Sequence, residues 1–406
     1  MYEELAIFSA IVFLYSIASG RLDRTPINGA IVYTGAGLIF GSFGLGFLNL
    51  DVGSEGLSTL AELTLALVLF TDAANADMSV LRKSFLIPQR MLLFGLPLTI
   101  LFGFGLGVLL FGGLTLVEVA ILATVLAPTD AALGKAVVTN ESVPANIREG
   151  LNVESGLNDG VCVPILFLFL SLATGSNIQG GTTSLALKLV AEEIGIGVAV
   201  GGGLTLLGGW LIKLSTNRGW VAKSWRQASV GALALACFAL AQKLGGSGFI
   251  ACFCGGLLFG GVVKDYKETF LLAAEGTSDI LAMITWMIFG GAIVGEYIGN
   301  FSWQVVLYAV LSLTIVRMLP IFLSLAGMKL RTDEKLFMGW FGPRGLASIV
   351  FGVIVLNAHL PGGNTITVTV VCTIILSVLA HGLSANPLVA RLVARLNRVP
   401  RLKSGY

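Results

Sequence analysis

The chain alternates between long apolar runs and short polar or turn-rich breaks. A helix crosses the hydrocarbon of a bilayer in about 20 residues, so each long run is a candidate span. The runs fall near residues 5–20, 28–49, 57–73, 90–112, 116–137, 150–174, 184–213, 226–243, 246–262, 276–297, 303–326, 335–357 and 365–390. They predict an all-α integral membrane protein with about thirteen transmembrane helices.

The polar breaks set the direction of those spans. With the N-terminus outside, the cytoplasmic segments hold Arg21 and Arg24; Arg82, Lys83 and Arg90; Arg148; Lys213, Arg218, Lys223 and Arg226; Lys264 and Lys267; Lys329, Arg331 and Lys335; and Arg391, Arg395, Arg398, Arg401 and Lys403, which is 20 of the 25 Lys and Arg. Lys188 and Lys243 fall near the outer side, while Lys135, Arg317 and Arg344 fall within spans. Cytoplasmic loops carry an excess of Lys and Arg, and an even number of spans would disrupt this asymmetry. The expected location is the cell membrane, multi-pass, with the N-terminus outside and a short basic cytoplasmic tail over 391–406. The first run follows Met1-Tyr2-Glu3-Glu4, acidic where a cleavable signal would be positive, so it is expected to be a retained span.

Two spans carry helix breakers beside charge at mid-length: Ala127-Pro128-Thr129-Asp130 in the fifth and Phe341-Gly342-Pro343-Arg344-Gly345 in the twelfth. They lie seven spans apart, and an odd offset makes the second run in the opposite direction. This pattern predicts six-helix inverted-topology repeats, approximately 1–174 and 226–393, joined by span seven (184–213), with two broken, crossing helices marking a mid-membrane substrate site.

Composition agrees with the pattern. Of 406 residues, 55% are hydrophobic and 12% charged, about half the usual ~25%. Mean hydropathy is +0.89. A soluble protein of this length needs a charged shell that this chain lacks, which excludes ordinary cytosolic enzymes and disulfide modules. A net charge of +2 with dispersed Lys and Arg gives no nucleic-acid surface. Cys162, Cys237, Cys252, Cys254 and Cys372 all sit in apolar runs as small hydrophobic filler. No phosphate loop occurs, so ATP-driven transport has no support, and no cofactor is expected.

Ionisable groups at membrane depth cost ~2.5–3.5 kcal/mol each on insertion scales, so each needs a partner or a role. They are Asp72, Asp130, Glu154, Asp159, Asp279, Arg317 and Arg344, with Lys135 nearer the inner face. The densest cluster is in span six, where Glu154 and Asn158, and Ser155 and Asp159, stand four residues apart and form one polar stripe. Thr129 and Asp130 sit at the break of span five, where unwound carbonyls and helix ends face the substrate. Oxygen ligands without His or thiolate suit a hard cation such as Na⁺ or Li⁺. Desolvation favours a protonated carboxylate and a bound cation an ionised one, so proton and cation compete for the same oxygens. One titrating carboxylate, Asp159, beside an amide at Asn158 implies one proton per monovalent cation. Glu154 needs a cation of its own, and Arg344 at the second break is the expected partner.

At these residues the sequence resembles the cation:proton antiporter-1 family, which contains the prokaryotic NhaP antiporters and the animal sodium/proton exchangers. The resemblance extends over essentially the whole chain: Thr129-Asp130 on span five, Glu154-Ser155-x-x-Asn158-Asp159 on span six, and Gly342 to Gly345 on span twelve. It implies a secondary active transporter of pH homeostasis, exchanging Na⁺ or Li⁺ for a proton, electroneutral and by alternating access, with a K⁺/H⁺ antiporter of the same fold as the alternative. It implies that Asp159 carries ion and proton, that Asp130, Thr129 and Ser155 help form the site, that Asn158 is associated with electroneutrality, and that Glu154 with Arg344 is a structural ion pair. Asp72, in Phe70-Thr71-Asp72, matches an acidic residue often found at the end of span three. The resemblance also implies a homodimer in lipid, with a six-helix transport domain moving against a dimerisation domain. Regulation through a large cytoplasmic tail like that of the animal members is not expected from this sequence.

Several residues stand outside that scheme. Arg317 and Asp279 are expected to be structural, paired with each other or with a half-helix end. His359 falls in the loop before span thirteen and His381 within it, and a lone imidazole is more often a satisfied polar residue than a pH sensor. Lys264-Asp265-Tyr266-Lys267-Glu268 reads as a solvated connector. The rival from another class is an intramembrane protease, with Ser247 in Gly245-Gly246-Ser247-Gly248 as nucleophile and His381 as base. It leaves the paired broken helices unexplained.

Overall fold

The computed structural model describes residues 2–22, 25, 27–48, 55–75, 86–130, 133, 135–138, 140–175, 182–263 and 267–398. Arg24, Arg82, Lys83, Lys264, Asp265, Tyr266, Arg401 and Lys403 lie outside the described residues.

Every run expected to span has a helical counterpart. In chain order these are α1 (Tyr2–Leu22), α2 (Gly29–Phe40), α3 (Glu55–Asn75), α4 (Leu86–Leu110), α5 (Leu116–Val125), α6 (Lys135–Val138), α7 (Ala145–Gly175), α8 (Thr182–Asn217), α9 (Lys223–Lys243), α10 (Gly248–Val262), α11 (Lys267–Ile288), α12 (Trp303–Leu313), α13 (Ile315–Ser324), α14 (Thr332–Trp340), α15 (Leu346–Asn357) and α16 (Gly363–Arg398). Among the described residues, seven helices are long and apolar enough to cross a membrane. Several others are shorter, and two of those short helices, α5 and α15, belong to the spans that break at mid-length.

Small residues govern how the helices pack, because without a hydrophobic drive between apolar helices close backbone approach supplies the contact. α10 lies between α8 and α3. A side chain at Gly201 would strike the Ala251 backbone, and side chains at Gly256 and Gly260 would strike the carbonyls of Phe70 and Ala74. α2 packs against a π turn, Phe289–Val294, that continues α11, with Gly37 and Gly41 against Met287 and Gly291. α1 has no buried residue and presents Phe13, Leu14 and Ile17 outward.

Both broken spans begin alike. At α5 the Glu118 carboxylate accepts the Thr115 N–H (2.9 Å), and at α14 the Glu334 carboxylate accepts the Arg331 N–H (2.8 Å). Each carboxylate satisfies a donor that a helix start leaves without a partner; at α5 the Thr115 hydroxyl accepts the Glu118 N–H in return (3.3 Å), a full capping box, whereas the donor-only Arg331 side chain cannot reciprocate. Glu118 also accepts the Gly362 N–H at 2.6 Å, tying the start of span five to the loop before α16.

Two features depart from the sequence expectation. Span eleven is split at Thr314, whose φ of −107° and ψ of −92° leave helical geometry. The helix of span thirteen continues to Arg398, so the first part of the expected basic tail prolongs α16.

Candidate functional site

The two breaks cross. The first leaves α5 at Val125 and regains helical form at α6; the second joins α14 to α15 through Phe341–Gly345. Each residue of the Gly-Pro-Arg-Gly run has a separate task there. The Pro343 carbonyl accepts the Asp130 N–H at 2.8 Å. Arg344 Nη1 donates to the carbonyls of Ala127 (2.5 Å) and Pro128 (3.0 Å), acceptors that the unwound chain has released. Gly342 lies against the Arg317 guanidinium and Gly345 against the Asp130 carboxylate, and a Cβ at either would overlap those groups. Ser348, in the first turn of α15, donates to the buried Val125 carbonyl (2.8 Å) where α5 ends.

Asp130 thereby becomes a cap as well as a site residue. Its Oδ2 accepts the Leu346 N–H (3.0 Å) at the start of α15, and its Oδ1 accepts the Leu133 N–H (3.3 Å). A carboxylate at a helix N-terminus satisfies free donors and complements the helix dipole.

Span six supplies the opposite wall. Ser155 Oγ donates to the Thr129 carbonyl at 2.5 Å, and Asn158 grips the same residue twice, donating through Nδ2 to Thr129 Oγ1 (2.7 Å) and accepting the Thr129 N–H through Oδ1 (3.3 Å). Asn158 Nδ2 also donates to Glu154 Oε1 at 3.1 Å. Asp159 is 7% exposed, and its Oδ1 is buried with no hydrogen-bond partner among the described residues. Asp159 lies within electrostatic reach of Asp130, Asp72 and Glu154. Asp72 packs beside Gly156, one helical turn from Asp159, where α3 contacts α7. A small pocket with room for about one water molecule opens beside this centre, lined by Thr129, Asp130, Val137, Val138, Leu151, Ser155, Phe341 and Pro343.

The ion pair of Glu154 differs from expectation. Its partner is Arg317 of α13, whose Nη1 and Nη2 each lie 2.8 Å from one carboxylate oxygen. Arg344 is instead drawn to the free carbonyls of the first break, and its Nε and Nη2 have no partner among the described residues. The guanidinium fork matches a carboxylate in the Arg317 geometry, and the backbone acceptors of an unwound segment compete for the other arginine. Arg317 was legible only as an expensive charge in an apolar run; its direction toward span six was not. Nor does Arg317 pair with Asp279.

The protease arrangement also fails. Ser247 Oγ accepts the Ile250 N–H (3.4 Å) as the cap of α10, and the His381 ring nitrogens face Ser377 and Trp340. Neither residue is the other's partner.

Residues 7–391 match the family described as sodium/hydrogen exchanger, transmembrane. The chain is 24% identical over 382 residues to the K(+)/H(+) antiporter NhaP2 of Shewanella oneidensis, covering 93% of this chain and 64% of that protein. It is 24% identical over 368 residues to the Na(+)/H(+) antiporter ApNhaP of Aphanothece halophytica, covering 87% of this chain and 68% of that protein. Among solved structures, the sodium proton antiporter MjNhaP1 from Methanocaldococcus jannaschii at pH 8 superposes with a TM-score of 0.78 at 20% identity, covering 96% of this chain and 98% of that one. The chain thus spans about 64% of the length of the NhaP2 relatives and nearly all of the archaeal structure.

Proposed function

The chain belongs to the sodium/hydrogen exchanger family, and from that membership we propose that it is a transporter rather than an enzyme, exchanging a monovalent cation for a proton at Asp159. The observation that carries this reading is a buried carboxylate with an unpartnered oxygen, set beside two crossed helix breaks among oxygen donors. Asp159 takes either the cation or the proton, with the Thr129 carbonyl, Ser155, Asp130 and Asp72 completing the cation's oxygen surroundings. Alternating exposure of one occupied state at a time converts that competition into exchange.

Charge bookkeeping supports one proton per cation. Glu154 and Asp130 offset Arg317 and Arg344, and the proposal keeps these four and Asp72 at one fixed charge through the cycle. Asp159 is then neutralised by one proton or one monovalent cation, and every state that crosses has the same charge. Asn158 keeps span six to one titrating acid at this level and spends its amide on Thr129 and Glu154.

The inverted repeats 1–174 and 226–393 belong to the same proposal. They are supported by the Glu118 and Glu334 carboxylates, each accepting a backbone N–H at the start of a span that breaks at a proline. The homodimer is part of it too, α1 offering an apolar face to lipid or to a second copy. Na⁺ or Li⁺ is the first choice of ion. K⁺ is a specific second reading, because relatives of equal similarity bear K(+)/H(+) and Na(+)/H(+) names.

The test is cation-driven proton flux in proteoliposomes with Na⁺, Li⁺ and K⁺ supplied separately. Wild type is expected to exchange at least one of them, and Asp159→Asn none. Persisting exchange in Asp159→Asn would overturn the assignment.

A further inference from the structure

The proposed site accounts for the breaks' contacts with each other, but not for what holds the second break in place. Its backbone, Phe341 to Gly345, is non-helical and contains a proline without an N–H, so few of its own hydrogen bonds fix it. One face of α16 supplies the restraint. Ser377, His381 and Ser384 stand at i, i+4 and i+7, and so line one stripe of that helix.

Ser377 Oγ accepts the Arg344 N–H at 2.7 Å. His381 Nε2 faces the Trp340 carbonyl at 2.9 Å, and its Nδ1 lies 3.1 Å from Ser377 Oγ and 2.9 Å from the Ser377 carbonyl. Ser384 Oγ accepts the Trp340 indole N–H at 2.9 Å. The His381 ring also packs against the Trp340 ring, with centroids 5.1 Å apart, and is 1% exposed. We assign the ring proton to Nε2, so that the imidazole donates to the Trp340 carbonyl and its Nδ1 accepts the Ser377 hydroxyl proton, the 2.9 Å approach of Nδ1 to the Ser377 carbonyl then being a contact without a hydrogen bond. A continuous chain of donors and acceptors then runs from the residue before the break, Trp340, to Arg344 near its end.

We propose that Ser377, His381 and Ser384 form a comb that positions the second break, and through it the cation site. Resting on the transport reading above, the comb acts at one remove. It fixes Trp340 and Arg344; the segment between them offers the Pro343 carbonyl to Asp130, and the Arg344 side chain holds Ala127 and Pro128. A shift of the segment therefore moves Thr129 and Asp130 against Ser155 and Asp159. His381 touches no ion in this scheme. Its part is to join two backbone points with a rigid ring that has one donor and one acceptor, which a leucine of similar bulk lacks.

The experiment compares wild type, Ser377→Ala, His381→Leu and His381→Gln in proteoliposomes, with amide hydrogen exchange of residues 341–346 measured on the same purified proteins. Ser377→Ala and His381→Leu are expected to raise the apparent cation KM by about fivefold or more, the scale of losing a buried hydrogen bond, with a smaller change in maximal rate. Both should speed exchange in 341–346. His381→Gln, which retains a donor near the Nε2 position, is expected to return KM to within about twofold of wild type. Equal behaviour of the Leu and Gln variants, or wild-type KM in Ser377→Ala, would overturn the comb. If His381→Leu does not fold, Ser377→Ala decides. Faster exchange at 341–346 in Ser377→Ala together with a wild type that moves no cation would support the comb while refuting the transport reading. Normal wild-type flux with neither KM nor protection altered would refute the comb alone.

Discussion

Arg317 and Arg344 are both fully buried, yet they bind different things. Arg317 answers a carboxylate and Arg344 answers backbone carbonyls, so removing them has different consequences. Arg317→Ala leaves Glu154 as an uncompensated buried charge and is expected to cost about 3–5 kcal/mol of stability. Arg344→Ala strands no carboxylate in an ion pair, and is expected to lower cation flux more than the thermal midpoint. Thermal unfolding of the detergent-solubilised variants, alongside flux in proteoliposomes, separates the two; an Arg344→Ala protein as unstable as Arg317→Ala would return the ion pair to Arg344. The identities of the costly residues were legible in the sequence, because an ionisable group in an apolar run stands out on composition alone. Their pairing was not, since Arg317 and Arg344 both had the charge that Glu154 required and only distance could choose.

At the scale of elements, spans five and twelve are each interrupted so that their released carbonyls and amides can satisfy one another. Proline and glycine at mid-span announced the interruptions, and the Glu118 and Glu334 carboxylates each accept a backbone N–H at the starts of the same two spans. What the motif did not disclose is the reason for two glycines. Gly345 leaves room for the Asp130 carboxylate at the N-terminus of α15, so Gly345→Ala is expected to push Asp130 off the Leu346 N–H and lower exchange by more than about tenfold, the scale of one charge-assisted bond. Wild-type flux in that variant would show that the crossing tolerates displacement of Asp130. The split at Thr314 escaped notice because nothing local distinguishes it from any other threonine in an apolar helix, whereas the packing of α13 against α14 and α4 is a tertiary matter.

For the whole molecule, the balance of Glu154 and Asp130 against Arg317 and Arg344 makes a claim about transport. If Asp159 alone changes occupancy, exchange moves no net charge, and an imposed membrane potential should neither drive nor slow it. Flux under valinomycin-clamped potentials of either sign measures this, and a clear voltage dependence would require a second titrating group, with Asp130 and Asp72 the nearest candidates. The sequence by itself determined that the chain is a bundle of membrane helices, that spans five and twelve break beside proline and charge, and which few residues are too costly to be idle. These properties are local: hydropathy, helix-breaking residues and rare charges are all written along the chain. Only the tertiary structure decided that Glu154 belongs to Arg317, that Arg344 pins the opposite break, that Asp130 caps a helix from across the crossing and that α16 holds the second break through Ser377 and His381. Those outcomes depend on which groups meet through space after folding, where several donors compete for each acceptor and geometry selects among them.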